Sequence, residues 1–230
     1  MLQRVTRMKD FSQPVISWGQ VDTVLVDMDG TLLDLAFDNF FWREVVPAQY
    51  AKKHGLSENI ARKELMSRYE ALQGKLEWYC IDHWTADLKL DIRGLKHDYR
   101  SHIQFLPGAL NFLSHLRNKQ KRVVLVTNAH PDVLALKIEQ TGVDEHVDAV
   151  FSSHEFEAPK ETREFWCRFH ASQKLTLLRT ALIDDSVSVL KAARDFGIGI
   201  TVGISRPDSR LSSREVEDFF AVEGVKELID

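Results

Sequence analysis

One apolar segment that ends in two carboxylates constrains the fold of this chain more than any other feature. Residues 21–33 read V-D-T-V-L-V-D-M-D-G-T-L-L, so a run rich in valine and leucine stops at Asp27, and Asp29 and Gly30 follow. A short apolar run bounded by a turn signal predicts a buried strand of a parallel sheet. Two carboxylates at its end are costly unless they are paired or bind a cation. Open α/β sheets place their binding sites at this end of their strands.

Strand and helix patterns alternate along most of the remaining chain, which predicts a parallel sheet with helices on both faces. Further strands are predicted at residues 123–126, 147–151, 180–183 and 198–202. The accompanying helices are predicted at residues 109–119, 131–140, 161–170 and 187–196. Gly142 and Gly197 are placed to end two of these helices. The expected fold is therefore α/β and Rossmann-like, with a parallel five-stranded sheet.

Two details of this scheme concern the first of these helices and the tail of the chain. Leu110, Leu113 and Leu116 recur at helical spacing, so they are expected to share the face that packs on the sheet. The chain from Ser205 onward is polar, and a short helix is predicted there at residues 213–220.

The segment between residues 34 and 105 has a different pattern, which is helical and contains no convincing strand. Four apolar side chains recur at helical spacing near its start: Phe37, Phe40, Phe41 and Val45. Pro47 is expected to interrupt or kink this helix, and two more helices are predicted at residues 60–73 and 78–88. The chain is thus divided into an α/β core at residues 1–33 and 106–230 and a helical cap subdomain at residues 34–105.

Composition and charge argue against several classes of partner. The formal net charge of -4 gives no reason to expect nucleic-acid polymers or anionic membranes as partners. The sequence has no run of eighteen apolar residues, and its first twenty residues lack the apolar core of a secretory signal. Cys80 and Cys167 form neither a metal-binding spacing nor a disulfide framework. We expect a cytoplasmic protein, and the sequence leaves its oligomeric state open.

Polar side chains follow several predicted strands at the point where each strand ends. They are Asp27 and Asp29 after the first strand, Thr127 and Asn128 after the second, Lys160 in the loop after the third, and Asp184 and Asp185 after the fourth. Because the carboxyl ends of parallel strands meet at one edge of a sheet, these residues are expected to converge. Four carboxylates would repel one another without a cation. Oxygen ligands without a histidine or cysteine spacing favour Mg²⁺ over zinc.

Each of these residues also has an ordinary structural explanation. Thr127 and Asn128 are typical N-terminal capping residues for the helix that begins at Pro131. Most lysines are exposed, and an exposed position is the ordinary interpretation of Lys160. The segment 184–186, Asp-Asp-Ser, fits another capped loop between a strand and a helix. Their joint occurrence, in order and after successive strands, favours a shared functional site.

The same segments resemble the motifs of the haloacid dehalogenase-like phosphatase superfamily, in order and in kind. The matching segments are D-M-D-G-T at residues 27–31, V-L-V-T-N ending at Asn128, Lys160, and A-L-I-D-D-S ending at Ser186. A closer similarity, to the bacterial GMP/IMP 5′-nucleotidases of that superfamily, covers most of the chain. It is carried by M-D-G-T-L-L-D-L-A-F-D-N-F-F-W, K-L-E-W-Y-C, V-T-N-A-H-P, and I-D-D-S with the later P-D-S.

The resemblance implies a reaction and a role for each acid. It implies that Asp27 is a nucleophile that forms an aspartyl-phosphate, and that Asp29 acts first as general acid and then as base. The implied Mg²⁺ ligands are the Asp27 side chain, the backbone carbonyl of Asp29 and one acid after the fourth strand. Of the two candidates there, Asp185 is favoured as the direct ligand and Asp184 is expected to act nearby or through water.

The resemblance also implies how a phosphate is held. Thr127 and the backbone amide of Asn128 are expected to bind phosphate oxygens at a helix N-terminus, and Lys160 is expected to neutralise charge. Asn39 and Arg43 could reach a substrate from the first helix of the cap or equally face solvent. His130 could line the phosphate site or serve in the first turn of its helix. Most of the aromatic side chains of the cap are expected in its core, with one or two free to stack on a purine: Trp42, Trp78, Tyr79 and Trp84.

The expected activity is that of a Mg²⁺-dependent phosphomonoesterase, with the purine 5′-monophosphates GMP and IMP as the favoured substrates. Several alternatives stay open: a phosphatase for another small metabolite such as a sugar phosphate, a phosphomutase, and a phosphate-sensing binding protein without turnover. A binding protein needs neither a nucleophile nor an acid, which argues against the last one. A dehalogenase is disfavoured because that chemistry needs no Mg²⁺, and hence no Asp29 with Asp184 and Asp185.

Overall fold

The computed structural model describes residues 16–229, and within them one parallel sheet of six strands forms the centre. The strands are β1 (Thr23–Val26), β2 (Arg122–Thr127), β3 (Ala149–Ser152), β4 (Thr180–Asp184), β5 (Ile200–Ile204) and β6 (Phe220–Val222). Their order in the sheet is β3-β2-β1-β4-β5-β6. Residues 1–15, which belong to the predicted core unit, lie outside the described residues.

Strand β1 is central, and both of its faces are buried, as its unbroken apolar run predicts. Val24 and Val26 belong to the hydrophobic cluster on one face of the sheet, and Leu25 belongs to the cluster on the other face. Val26 is in register with Leu125 of β2 and Ile183 of β4. The residues that follow these three strands therefore lie side by side at the carboxyl edge of the sheet.

The prediction of five strands and of a helix at residues 213–220 is wrong. The tail instead forms β6, which pairs in parallel with β5 and places Phe220 beside Val202. A strand of three residues is too short for its side-chain alternation to be recognised in the sequence. Gly203 of β5 explains the close approach of the tail, because a Cβ atom there would lie 2.6 Å from Val216 Cγ1.

Helices cover both faces of the sheet. They are α7 (Ala109–Asn118) and α8 (Pro131–Thr141) on one face, and α9 (Arg163–Gln173) and α10 (Val187–Phe196) on the other. Gly142 and Gly197 end α8 and α10 in the left-handed conformation, as predicted. The prediction that Leu110 faces the sheet is wrong: it is 38% exposed, and Phe112 is buried on that face instead.

The chain between β1 and β2 also contains a group of helices that do not cover the sheet, which we call the helical insert. It comprises α1 (Ala36–Phe40), a π-helical turn (Phe41–Val45), α2 (Val46–His54), α3 (Glu58–Leu72), α4 (Leu76–Tyr79), α5 (Ile81–Leu88) and α6 (Ile92–Asp98). Phe41, Trp84 and Leu65 belong to its own hydrophobic cluster, to which α8 contributes Val133. The use of this insert as a cap, and its boundaries, stay predictions.

Local details of the insert differ from the sequence prediction. The interruption near Pro47 is a π-helical turn that precedes the proline, which lies in the first turn of α2. The single helix predicted at residues 78–88 is wrong, because extended backbone at Cys80 separates α4 from α5. Helix α6 was not predicted. Within the described residues, no helix is both long and apolar enough to cross a membrane.

Candidate active site

The turn after β1 delivers Asp27 and Asp29 to the carboxyl edge of the sheet. The backbone N–H of Asp27 donates to Ile183 O at 3.0 Å, so Asp27 continues the pairing with β4. Gly30 then turns the chain with φ +87°, in the region that favours glycine. A Cβ atom at Gly30 would lie 2.8 Å from Pro207 Cβ and 2.9 Å from Asp185 Cγ. The glycine is therefore needed for the close packing of this edge.

Three of the four predicted acids converge. Asp27, Asp184 and Asp185 each offer a carboxylate oxygen, and these oxygens all lie within 4.8 Å of one another. Asp27 and Asp184 are buried, and Asp185 is half-buried. The Asp29 side chain makes a different contact: its Oδ1 lies 2.6 Å from Lys137 Nζ.

Lys160 is not a surface lysine, because its side chain is only 2% exposed and its ammonium group lies among the acids. Its Nζ donates to Asp27 Oδ1 at 2.5 Å, to Asp184 Oδ2 at 2.8 Å and to Val126 O at 2.9 Å. Burial alone would lower the pKa of Lys160, but the charges of Asp184 and Asp27 outweigh burial and raise it. The lysine thus stays charged at the centre of the site.

The acids outnumber the cations that reach them. Burial raises the pKa of Asp27 well above its usual value, and Lys160 only partly offsets this effect. Burial and the charge of Asp184 raise the pKa of Asp185 to about 7, although Arg214 Nη2 lies 2.9 Å from Asp185 Oδ2. A group of oxygen ligands with more acids than cations fits a hard divalent cation such as Mg²⁺.

Asp184 and Asp185 differ in how fully the protein engages them. Asp184 Oδ1 accepts the backbone N–H of Ser186 at 2.8 Å, and its Oδ2 accepts from Lys160. Both oxygens of Asp184 therefore have protein partners. Asp185 is held through Oδ2 by Arg214, whose side chain is half exposed.

Thr127 is the last residue of β2 and Asn128 begins the loop to α8, and both are buried. Thr127 Oγ1 accepts the backbone N–H of Ala129 at 3.0 Å. Asn128 Oδ1 accepts the backbone N–H of Lys160 at 2.9 Å, and its Nδ2 donates to Glu161 Oε2 at 3.0 Å. Asn128 thus ties this loop to the segment that carries Lys160.

His130, rather than Thr127 or Asn128, is the N-cap of α8, and its ring accepts the backbone N–H of Asp132. Asp82, His130 and Asp132 also form a second group whose possible ligand atoms lie within 4.8 Å of one another. Arg93 pairs with both carboxylates of this group. The protein therefore already supplies the positive charge that the group needs.

The side chains of the insert that were expected near a substrate have varied positions. Asn39 Nδ2 donates to Asp208 Oδ2 at 2.9 Å, which ties the insert to the tail of the chain. Arg43 is exposed. Tyr79 donates to Glu161 Oε1 at 2.5 Å and so reaches the core beside Asn128. Most of the aromatic rings pack on one another within the insert, at centroid distances of 5.0 to 6.3 Å: Trp42, Tyr69, Trp78 and Trp84.

A buried charged group that was not predicted from the sequence lies beside Asp29 and consists of Lys137, Asp38 and Lys96. Lys137 Nζ lies 2.6 Å from Asp38 Oδ2, and Lys96 Nζ lies 2.8 Å from Asp38 Oδ1. A signal was present in the spacing, because Lys137 follows Val133 and Leu134 on the apolar face of α8. A lysine at such a position requires a buried partner.

Buried acids and a lysine at the carboxyl edge of a parallel α/β sheet form a candidate catalytic centre. Residues 21–197 match the family described as "Hydrolase: haloacid dehalogenase-like hydrolase". The chain belongs to that family, which confirms the resemblance carried by its motifs.

Named relatives cover nearly the whole chain. "GMP/IMP nucleotidase YrfG" of Escherichia coli (strain K12) is 39% identical over 214 residues, which cover 93% of this chain and 96% of the relative. The protein of the same name from Shigella flexneri matches equally. A haloacid dehalogenase-type phosphatase from Thermococcus onnurineus has a TM-score of 0.74 at 22% identity and covers 90% of this chain and 96% of its own. An L-2-haloacid dehalogenase from Xanthobacter autotrophicus has a TM-score of 0.61 at 15% identity, with the same coverage. At these identities the two structures show the fold alone.

Proposed function

We propose that the chain is a Mg²⁺-dependent phosphomonoesterase that acts through an aspartyl-phosphate and hydrolyses the purine 5′-monophosphates GMP and IMP. The observation that carries the proposal is the convergence of Asp27, Asp184 and Asp185, two of which, Asp27 and Asp184, also bind the ammonium group of Lys160. A phosphate monoester is hydrolysed very slowly without a catalyst, and a carboxylate nucleophile divides the reaction into two easier steps.

In the first step, a bond forms between Asp27 and phosphorus while the bond from phosphorus to the ester oxygen breaks. Lys160 holds Oδ1 of Asp27, which leaves Oδ2 as the attacking oxygen. Asp29 gives its proton to the departing oxygen. In the second step, Asp29 takes a proton from water, the water oxygen attacks phosphorus, and Asp27 is released with inorganic phosphate.

The donor set supports a Mg²⁺ site. The proposed ligands are the side chains of Asp27 and Asp185 and the backbone carbonyl of Asp29, all of which offer oxygen. Asp184 is assigned a supporting role because Lys160 and Ser186 engage both of its oxygens. A bound Mg²⁺ would offset the repulsion between the nucleophile and an anionic substrate.

The phosphate is proposed to sit at the N-terminal end of α8. There, Thr127 and the backbone N–H of Asn128 would donate to its oxygens, and the unpaired N–H groups of the helix would favour its charge. Lys160 would neutralise negative charge on the phosphoryl group. This arrangement recognises a phosphate group and makes no demand on the rest of the ester.

The insert is therefore proposed to act as a cap, at residues 34–105, that selects the substrate and excludes water. The 39% identity to proteins named GMP/IMP nucleotidase supports a purine nucleotide as the substrate. Tyr79 also supports a cap role, because it is an insert residue that contacts Glu161 beside the proposed phosphate site. A cytoplasmic location, where free nucleotides occur, completes the proposal.

Release of inorganic phosphate from GMP, IMP, AMP and ribose 5-phosphate, each with Mg²⁺, tests the proposal. We expect kcat/KM to be highest for GMP and IMP. A preference for ribose 5-phosphate would contradict the proposed substrate class, but the proposed reaction would stand. The absence of phosphate release from every ester, p-nitrophenyl phosphate included, would contradict the proposed reaction itself.

A further inference from the structure

A buried series of alternating charges joins Asp29 to the helical insert. Lys137 Nζ lies 2.6 Å from Asp29 Oδ1 and 2.6 Å from Asp38 Oδ2, and Lys96 Nζ lies 2.8 Å from Asp38 Oδ1. The side chains of Lys137 and Lys96 are only 1% and 3% exposed. The four groups balance in charge, which is the condition for keeping them buried.

These four residues come from four separate parts of the fold. Asp29 follows β1, Lys137 lies on α8, Asp38 on α1 and Lys96 on α6. The Lys96 ammonium group also lies 4.8 Å and 4.4 Å from the ring centroids of Phe37 and Phe41. Such contacts with aromatic faces stabilise a cation that has lost its water. Lys96 therefore belongs to the insert and compensates Asp38 there.

Lys137 differs from Lys96 in one respect, because it also contacts Asp29. Lys96 already compensates the charge of Asp38, so the contact between Lys137 and Asp29 is not needed for that purpose. The Asp29 side chain keeps 20% of its surface exposed, and Lys137 engages Oδ1. Among the described residues, no other side chain bonds to that carboxylate, so Oδ2 is the oxygen open to a substrate.

We propose that Lys137 is a positioning residue that holds Asp29 by Oδ1 and so directs Oδ2 toward the departing oxygen of the ester. The protonated acid can still accept the Lys137 N–H at Oδ1, because its proton resides on Oδ2. The proton passes from Oδ2 to the leaving oxygen as the bond to phosphorus breaks. This inference rests on the proposed function, and it adds a residue that acts through Asp29.

The dependence of the rate on the leaving group distinguishes positioning from mere stability. Departure of p-nitrophenolate needs little help from an acid, whereas departure of the more basic phenolate needs much more. We expect Lys137→Met to lower kcat/KM for phenyl phosphate about 100-fold and for p-nitrophenyl phosphate less than about 5-fold. Lys137→Gln keeps an N–H donor without the charge and should recover part of the loss.

Lys96→Met is the matched control, because Lys96 is equally buried and binds the same Asp38 without contacting Asp29. We expect any loss in this variant to be the same for both esters. In an Asp29→Asn background, Lys137→Met should change the ratio of the two kcat/KM values less than about 2-fold, since its partner is already disabled. Thermal unfolding of each variant confirms that folded protein is compared.

Equal losses for the two esters in both Lys137 variants would overturn the positioning role, as would an undiminished effect of Lys137→Met in the Asp29→Asn background. If the wild-type enzyme releases phosphate from neither aryl ester and from neither GMP nor IMP, the proposed function itself fails and the role of Lys137 fails with it. If the wild type is active and only the Lys137 predictions fail, the phosphatase proposal stands.

Discussion

The ammonium group of Lys160 lies 2.5 Å from Oδ1 of Asp27, although 133 positions of sequence separate the two residues. The same group lies 2.8 Å from Asp184 at the end of the neighbouring strand. One buried cation therefore joins the ends of β1 and β4. This contact fixes one oxygen of the proposed nucleophile and explains how acids can lie so close together in the interior.

Removal of this cation is expected to damage both rate and stability. We predict that Lys160→Met lowers kcat about 100-fold or more, because charge on the transferred phosphoryl group is no longer neutralised. The variant also leaves Asp27 and Asp184 without their buried partner, so unfolding should become easier by about 3–5 kcal/mol. Steady-state kinetics and urea unfolding test both effects. Exposed Lys191→Met is the control and should match the wild type. A Lys160→Met enzyme with wild-type kcat would contradict the assigned role.

Asp184 and Asp185 should respond differently to loss of charge. We predict that Asp185→Asn weakens Mg²⁺ binding more than about 10-fold, because Asp185 is the proposed direct ligand. Asp184→Asn should weaken Mg²⁺ binding less and should mainly reduce kcat, because Asp184 holds Lys160. Calorimetric titration with Mg²⁺ in the absence of substrate measures the first effect directly. The reverse order of affinities would assign the direct ligand to Asp184.

The Asp38 carboxylate should make stability depend on pH in acid. Burial alone would raise the pKa of Asp38, but Lys137 and Lys96 outweigh burial and hold it well below its usual value. An unfolded aspartate titrates near pH 4. The stabilisation is therefore present above about pH 4 and is lost as the pH falls below it. We predict that Asp38→Asn lowers the free energy of unfolding near neutral pH by about 3–5 kcal/mol and flattens its decline in acid.

Urea unfolding of the wild type and Asp38→Asn across this pH range checks the Asp38 prediction. The two curves of free energy against pH should converge as the medium becomes more acidic. Curves that stay parallel would show that Lys137 and Lys96 do not lower the pKa of Asp38 in the folded protein.

Tyr79 should affect binding through Glu161. Its hydroxyl donates to Glu161 Oε1 at 2.5 Å, and the other oxygen of Glu161 accepts from Asn128. We predict that Tyr79→Phe raises KM for a phosphate ester about 10-fold, as expected for loss of a hydrogen bond to a charged group. Tyr99→Phe is the control, since no hydrogen bond to the Tyr99 hydroxyl is found within residues 16–229. An unchanged KM in Tyr79→Phe would show that this contact of the insert does not contribute to binding of the phosphate ester.

The main features of the sheet were predictable because they depend on local signals. Unbroken apolar runs predicted β1, β2 and β4, and the polar residues after them predicted a site at the carboxyl edge of the sheet. The carboxyl ends of parallel strands meet whatever the loops between them do. The convergence of Asp27, Asp184 and Asp185 followed from that geometry alone.

Features that depend on contacts between distant segments were not predictable. Strand β6 has three residues and is recognised only by its pairing with β5. The spacing places Lys137 on the apolar face of α8, but its partner Asp38 is identified only when α8 packs against the insert. The closing of α4 by extended backbone at Cys80 likewise carries no glycine or proline signal. Tertiary packing determines strand β6, the Lys137–Asp38 pair and the end of α4.

Detection of a phosphoryl group on Asp27 tests the central claim most directly. Enzyme quenched in acid during turnover of GMP and mapped by mass spectrometry should carry phosphate on the peptide that contains Asp27. Asp27→Asn should carry none and should release no inorganic phosphate, although it should still bind phosphate. Wild-type turnover in Asp27→Asn, or phosphate found on a different residue, would contradict the account.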